Sequence, residues 1–533
     1  MHMSLNYNLV HRVNMGDILK RSAKRYPNKI AVIEGDRRIS YLEFNKMVNK
    51  VARGFQSIGL NKGDRLSLLS SNSIEFLLTY FACAKAGITI VPLNTSLVAN
   101  EVEYILKDSN SKAVVVETQF LDLVRLSQGI ESLKEMIIIH EKSNSSSLTT
   151  ETQNIRDWES LWRVQDYSEV YCEVTDRDLM QCLYTSGTTS NPKGVMSSHV
   201  AVYFNTLGTA YDLKFTEQDV SIAMLPIYHV AQLNAITTPI FLAGGTTVIL
   251  KKFEPEQLMS LIEQEKATQI FGLPMMYRAL IDHPNRTDYN LSSLRLCVYA
   301  MAPMPDTELK RAHEVFQCDF ALLFGQTEMA PVATVFRPEH QLIKPGAVGT
   351  PAVNVEVAIM NDQGEFLPES EIGEIVYRSP QTMEGYLNDP KKTQEAFAHG
   401  WFHSGDYGYF DEDSILWFAD RKKDMIKTGG VNVSSIEVEK TIFKHPNVQN
   451  VAIVGLPHDH WTEALTAFVI TKDSQTIPED VIIQLCKSQL GGYKIPKRVI
   501  TLKEFPMTSS GKIQKHVLRN NFINLYENEK INK

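Results

Sequence analysis

The run Leu183-Tyr184-Thr185-Ser186-Gly187-Thr188-Thr189-Ser190-Asn191-Pro192 leads directly into Lys193-Gly194. Hydroxyls, a glycine and a lysine packed this closely could surround a polyphosphate. Glycine lets backbone N–H groups approach, hydroxyls donate hydrogen bonds, and the ammonium offsets negative charge. The spacing is not that of a Walker A loop, which needs Gly-Lys followed by Ser or Thr. A Ser/Thr-rich stretch is ordinarily a solvated turn. This one follows a strand-like run, and other segments supply groups that a nucleotide needs.

Phe324-Gly325-Gln326-Thr327-Glu328 joins an aromatic face, which can stack on a base, to a carboxylate that can hold Mg²⁺. By itself such a pentapeptide reads equally as a helix start. Ser404-Gly405-Asp406 places a carboxylate after a glycine turn, where it could accept both hydroxyls of a ribose or simply close the turn. His229, in Pro226-Ile227-Tyr228-His229-Val230, ends a strand-like run and is a pocket residue or a structural histidine. Thr508-Ser509-Ser510-Gly511-Lys512-Ile513 puts a lysine on a polar turn, where it would normally be solvated.

The elements that must carry these groups alternate between helix and strand. Gly16 to Tyr26 has helical spacing, and Ile30 to Ile33 reads as a strand. Tyr41 to Ile58 is helical, with Leu42, Phe44, Val48, Val51 and Phe55 on one face. Arg65 to Leu69 is a strand. Phe76 to Leu93 is broken by Thr79, Lys85 and Thr89, so it reads as a buried helix running into a strand and not as a membrane span. Tyr407 to Phe418 reads as a hairpin. Beyond it, Ile436 to Phe443 and Pro478 to Leu485 are helical, and Val451 to Gly455 and Ala467 to Ile470 are strands. The polar run from Ser143 to Asn154 is a surface loop. Alternation of this kind predicts α/β sheets covered by helices.

A chain of 533 residues suggests about three or four folding units by length alone. A net charge of −8 gives no global attraction to nucleic acid. Six scattered cysteines without a C-x-x-C pair argue against a metal cage or a disulfide framework, and the expected compartment is the reducing cytoplasm. The N-terminus lacks the apolar core and cleavage pattern of a signal peptide, and the C-terminus carries no peroxisomal or ER address.

Together the motifs resemble the adenylate-forming superfamily of acyl-CoA synthetases, adenylation domains and luciferases, over essentially the whole chain. Phe324 to Glu328 is similar to that family's Y-G-x-T-E, with Phe for Tyr. Ser404-Gly405-Asp406 is similar to T-G-D. Tyr299-Ala300-Met301-Ala302-Pro303 resembles a G-G-A-P segment with both glycines replaced. Trp461-Thr462-Glu463 resembles W-G-E, and His458 stands where Asp is usual. Pro506 to Lys512 resembles P-x-T-x-x-G-K.

The resemblance implies roles. Thr185, Ser186, Gly187, Thr188, Thr189 and Lys193 cradle the phosphates. Ala302 and Pro303 contact adenine, Phe324 stacks on it, and Gly325 and Gln326 belong to the same cofactor-binding set. Thr327 contacts the α-phosphate, and Glu328, with Thr185, binds Mg²⁺. Asp406 and Arg421 hold the ribose. His229 borders the acyl site, and no Asp follows it to pair an ammonium, so an α-amino acid is disfavoured. Lys512 bridges the carboxylate and the α-phosphate in the first transition state. Lys423 is a hinge, and Gly429-Gly430 borders the tunnel for the pantetheine of CoA.

The implied fold is α/β: a large N-terminal domain of layered sheets over residues 1–420, a hinge at 421–425, and a smaller mobile α+β C-terminal domain over 426–533. The implied reaction consumes ATP, with Mg²⁺, and CoA. A carboxylic acid becomes an acyl-adenylate with release of pyrophosphate, then an acyl-CoA thioester with release of AMP. Met275, Met276, Met301, Met304 and Met329 flank the motifs, and methionine adapts to irregular apolar ligands, so the expected acid is a medium- or long-chain fatty acid. An aryl or short-chain acid, transfer to a carrier protein, and luciferase-like oxidative chemistry stay open. So does a homodimer. A non-catalytic nucleotide-binding regulator is disfavoured by the intact Glu328 and Lys512.

Overall fold

The computed structural model describes residues 5–125, 129–140, 154–185, 192–301, 304–472, 477–507 and 513–527. They form two compact units, Met1–Val357 with Tyr377–Phe402, and Ala358–Val376 with His403–Lys533. The fold is mixed α/β, with a large first unit and a smaller second one. The segment 421–425 read as a hinge lies inside the second unit.

Two sheets organise the described part of the first unit. One has nine strands, and its middle runs Asp319–Gly325, Leu296–Ala300, Gln269–Gly272, Val220–Ala223, Thr246–Ile249. These five are mutually parallel. The other has eight strands and ends Gly385–Tyr386, Lys193–Ser198, Leu179–Thr185, Thr89–Pro92. Parallel strands buried on both faces read as unbroken apolar runs, as in Leu-Cys-Val-Tyr-Ala at 296–300.

The helices form where capping and apolar spacing agree. Ser40 caps Tyr41–Ser57 by accepting from the Glu43 N–H at 3.3 Å. Phe44, Val48, Val51 and Phe55 of that helix are fully buried, whereas Leu42 is exposed, so the predicted face is one residue too wide. Phe44 and Phe81 both pack on Phe241, with ring centroids 5.5 and 5.0 Å away, which ties three helices into one core. The long apolar stretch is the buried helix Ile74–Ala86, ended by Gly87 at φ +70° and followed by the strand Thr89–Pro92. Its Lys85 is buried with Nζ on Asn45, Asn49 and Glu169 at 2.6, 2.7 and 2.9 Å, which supplies the partners that a buried ammonium requires. No helix among the described residues is long and apolar enough to cross a membrane.

A four-stranded sheet, most of whose residues belong to the second unit, runs Glu356–Met360, Gly373–Arg378, Phe402–Phe410, Leu416–Arg421. A five-stranded sheet is built round the hairpin Val448–His458 and Thr462–Thr471. The helices Ser435–Ile442 and Glu479–Gln489 bury Val438, Ile442, Ile482 and Cys486 on that unit's core.

Candidate active site

The candidate residues of the nine-stranded sheet gather at one edge. The parallel strands Val220–Ala223, Gln269–Gly272, Leu296–Ala300 and Asp319–Gly325 lead, at their C-terminal ends, to His229, to Met275 and Met276, to Met301, and to Thr327 and Glu328 respectively. Open parallel sheets bind ligands outside the carboxyl ends of their strands, because the loops that follow converge there. The strand before His229 stops at Ala223, earlier than the sequence suggests, and Met224 to Tyr228 form the connection. His229 caps the helical run that follows. Its Nδ1 accepts from the Ala231 N–H at 3.2 Å, which places the ring proton on Nε2.

Gly325 answers a backbone demand. It sits at φ +152°, and a Cβ there would lie 2.1 Å from Pro331 O, so only glycine lets the antiparallel strand Val332–Phe336 approach. Met301 has φ +69°, a left-handed conformation that favours glycine, at the position where the resembled motif carries one. The backbone path is therefore kept while a long side chain is added. Of the five methionines read as pocket residues, Met304 and Met329 are buried in the core. Met275 and Met301 are exposed and Met276 is half-buried.

Thr185 and Lys193 face each other across the antiparallel ladder of Leu179–Thr185 and Lys193–Ser198. Lys193 opens a strand, so the phosphate-binding candidate stands between two strands and not before a helix. Ser186, Gly187, Thr188 and Thr189 lie outside the described residues, as do Ala302, Pro303 and Lys512. Either side of Lys512, Met507 and Ile513 pair across an antiparallel bridge.

The two sheets meet through a residue that the sequence does not single out. Tyr386 pairs with Val195 of the strand that Lys193 opens, and its hydroxyl donates to Glu328 Oε1 at 2.9 Å. Lys193 Nζ lies 5.2 Å from the Tyr386 ring centroid. The Met383 N–H also donates to Glu328 O at 2.8 Å. Nothing in a lone Gly-Tyr pair marks a link to a glutamate 58 residues away.

In the second unit, Asp406 and Arg421 are cross-strand partners, with Arg421 Nε 3.6 Å from Asp406 Oδ1. Asp406 lies within the strand Phe402–Phe410 and not on the predicted turn; Gly405, at φ +72°, kinks the strand. Buried Glu374 holds that kink. Its Oε1 accepts from Gly405 N–H at 3.0 Å, and its Oε2 lies 3.1 Å from both His403 Nδ1 and Lys422 Nζ. Lys423 is exposed in the turn that follows. Gly429 and Gly430, at φ +56° and +81°, form the two-residue loop of a hairpin closed by Thr428 and Val431. Gly429 N–H donates to Trp461 O at 2.9 Å. Thr462 has φ +67° where the resembled motif carries Gly, and His458 Nδ1 accepts from the His460 and Trp461 N–H groups at 3.0 and 3.3 Å. An imidazole nitrogen thus does what a carboxylate oxygen could do at that turn.

Mg²⁺ that arrives with a nucleotide keeps phosphate and water ligands and needs only one or two carboxylates. Glu328, with Oε1 engaged by Tyr386, fits that requirement. No group of three or more His, Cys, Asp or Glu among the described residues forms a larger cage.

The AMP-binding enzyme family model matches residues 19–387, and the model of the AMP-binding enzyme C-terminal domain matches residues 437–512. A feruloyl-CoA synthase of Amycolatopsis sp is 32% identical over 504 residues, covering 94% of this chain and 98% of the relative. The long-chain-fatty-acid–CoA ligase FadD13 of Mycobacterium tuberculosis is 32% identical over 513 residues, covering 96% and 98%. The crystal structure of ATP-bound MatB from Rhodopseudomonas palustris superposes with a TM-score of 0.87 at 28% identity, covering 97% of this chain and all of that one. The anthranilate CoA ligase AuaEII in complex with anthranoyl-AMP gives 0.84 at 27% identity, covering 96% and 98%. The chain belongs to the AMP-binding enzymes, the adenylate-forming family of acid–thiol ligases.

Proposed function

We propose that the protein activates a medium- or long-chain fatty acid. The acid's carboxylate attacks the α-phosphate of ATP to give an acyl-adenylate and pyrophosphate. The thiol of CoA then displaces AMP. As an acid–thiol ligase of its family the enzyme uses ATP, Mg²⁺ and CoA. The observation that carries the reading is the convergence of His229, Thr327 and Glu328 at the ends of parallel strands, joined through Tyr386 to the strand of Lys193. Met275, Met276 and Met301 at the same strand ends support an apolar, flexible acyl group.

In this reading Thr185, Lys193 and residues 186–189 hold the phosphates. Phe324, with Ala302 and Pro303, borders adenine, and Asp406 and Arg421 take the ribose hydroxyls. Mg²⁺ on Glu328 supplies charge neutralisation at the phosphoryl oxygens. Lys512 stabilises the charge that builds on the α-phosphate during attack. Residues 426–533 move as a domain about Lys423 between the two half-reactions, and Gly429-Gly430 borders the incoming thiol.

An aryl acid is the second reading, favoured by the feruloyl-CoA synthase similarity. Pyrophosphate release across saturated fatty acids of rising length and across hydroxycinnamic and benzoic acids, with and without CoA, separates the two. Turnover peaking with medium or long chains supports the first. Turnover confined to aryl acids overturns it.

A further inference from the structure

Lys193 and Glu328 are opposite charges on facing elements, and each is proposed to serve a different part of one ligand. Left to themselves an ammonium and a carboxylate within reach would pair, and each would lose capacity for the nucleotide. Tyr386 stands between them. Its hydroxyl donates to Glu328 Oε1 at 2.9 Å, and its ring lies under Lys193 Nζ at 5.2 Å from the centroid. Among the described residues Lys193 and Glu328 form no ion pair with each other.

The Tyr386 ring is itself fixed. Its backbone N–H donates to Thr393 Oγ1 at 2.9 Å, and Gly385 and Tyr386 pair with Met196 and Val195. Gly385 has φ +146°, and a Cβ there would meet Thr393 Cγ2 at 2.8 Å, so the approach of this segment depends on glycine. On the other side, Gln381 Nε2 donates to Met329 O at 2.7 Å and to Val332 O at 2.5 Å, which clamps the turn that bears Glu328.

We propose that Tyr386 is a positioning residue that holds Glu328 for the metal of the nucleotide and Lys193 for its phosphates, keeping the two charges from neutralising each other. The hydroxyl occupies one lone pair of Oε1 and leaves Oε2 for the cation. The ring face holds the ammonium by cation–π attraction, weakly enough for a phosphate to recruit it. The metal half of this inference rests on the reading that Glu328 binds Mg²⁺.

The test is calorimetric titration of the full-length protein with ATP, in EDTA and again across a range of Mg²⁺ concentrations, so that no turnover is needed. Tyr386→Phe keeps the ring and removes the hydroxyl. It should leave metal-free ATP affinity unchanged and raise the Mg²⁺ concentration for half-maximal enhancement roughly 10-fold, as loss of a partner behind a metal ligand does. Glu328→Gln should raise it at least as much. Tyr386→Leu removes the ring and should also weaken metal-free ATP about 3-fold.

A shift in Glu328→Gln without one in Tyr386→Phe overturns the positioning role and leaves the metal reading standing. No shift in either variant, or a shift in Tyr386→Phe alone, removes Glu328 as the residue through which Tyr386 acts. Equal loss of metal-free and metal-dependent binding in Tyr386→Phe marks a purely structural role and overturns the proposal. Wild-type metal-free affinity in Tyr386→Leu overturns the Lys193 half.

Discussion

Arg421 faces Asp406 across adjacent antiparallel strands, with Nε 3.6 Å from Oδ1. The guanidinium sets a positive charge beside the carboxylate at a distance longer than a tight hydrogen bond. The Asp406 side chain is 11% exposed and Arg421 51%, so the pair reaches the surface from a buried acceptor. Behind it, Glu374 pins the Gly405 kink through the backbone.

Asp406→Ala should therefore raise the KM for ATP about 10- to 100-fold and change the KM for the acid little. That range follows from the ~1.5–3 kcal/mol of hydrogen bonds to a charged group. Steady-state kinetics with each substrate varied in turn reads the split. A folded variant with unchanged ATP KM contradicts the ribose role.

Thr462 and Met301 share an unusual property: each is a side-chain-bearing residue in the left-handed region, at φ +67° and +69°. A β-branched residue there costs about 1–3 kcal/mol. Thr462→Gly should stabilise by about 1 kcal/mol. The matching rise in Tm is about 2–4 °C for a unit of this size. Differential scanning calorimetry measures it, and a lower Tm contradicts the strain argument.

His199 is completely buried, and burial lowers its pKa to about 4. Its Nδ1 accepts from the Met15 N–H at 3.2 Å, a bond that needs the neutral ring. In the unfolded chain the imidazole protonates near its ordinary 6.5, so below that pH the unfolded state binds the extra proton. Stability is full above pH 6.5 and falls as pH drops toward 4, by about 3 kcal/mol from this group. Tm measured against pH should drop more steeply in the wild type than in His199→Gln. Parallel curves would falsify the assignment.

Lys423→Pro tests the proposed hinge. Proline fixes φ near −65° and restricts Lys422, the residue before it. The variant should keep acid-dependent pyrophosphate release and lose thioester formation, because the adenylate-forming conformer needs no rotation after ATP binds. The two are assayed separately, with circular dichroism as the control for folding. Both half-reactions at wild-type rates would show that Lys423 is an ordinary solvated linker residue.

Sequence pattern located the helices well where a repeat of buried residues ran several turns, as at Phe44, Val48, Val51 and Phe55. It failed at Leu42, because one added position at the helix start fits the spacing yet faces solvent. Glycine misled at Ser404-Gly405-Asp406: read as a turn, it is a kink inside a strand that remains paired. The candidate residues within motifs could be singled out because each motif is local. Tyr386 could not, since its meaning arises only when the edge strand of one sheet meets the turn after a strand of the other. Glu374 escaped for the same reason, acting through the Gly405 backbone 31 residues on.

In the proposed reaction, carboxylate attack on ATP precedes the thiol and does not require it. ATP–pyrophosphate isotope exchange, run with acid but without CoA, tests it directly. Exchange should depend on the acid, proceed in full without CoA, and fall about 10²–10³-fold in Lys512→Ala, as when one electrostatic donor to a developing charge is removed. Adding CoA should then convert ATP to AMP and never to ADP. Exchange that requires CoA, or ADP as the product, would contradict an acyl-adenylate mechanism.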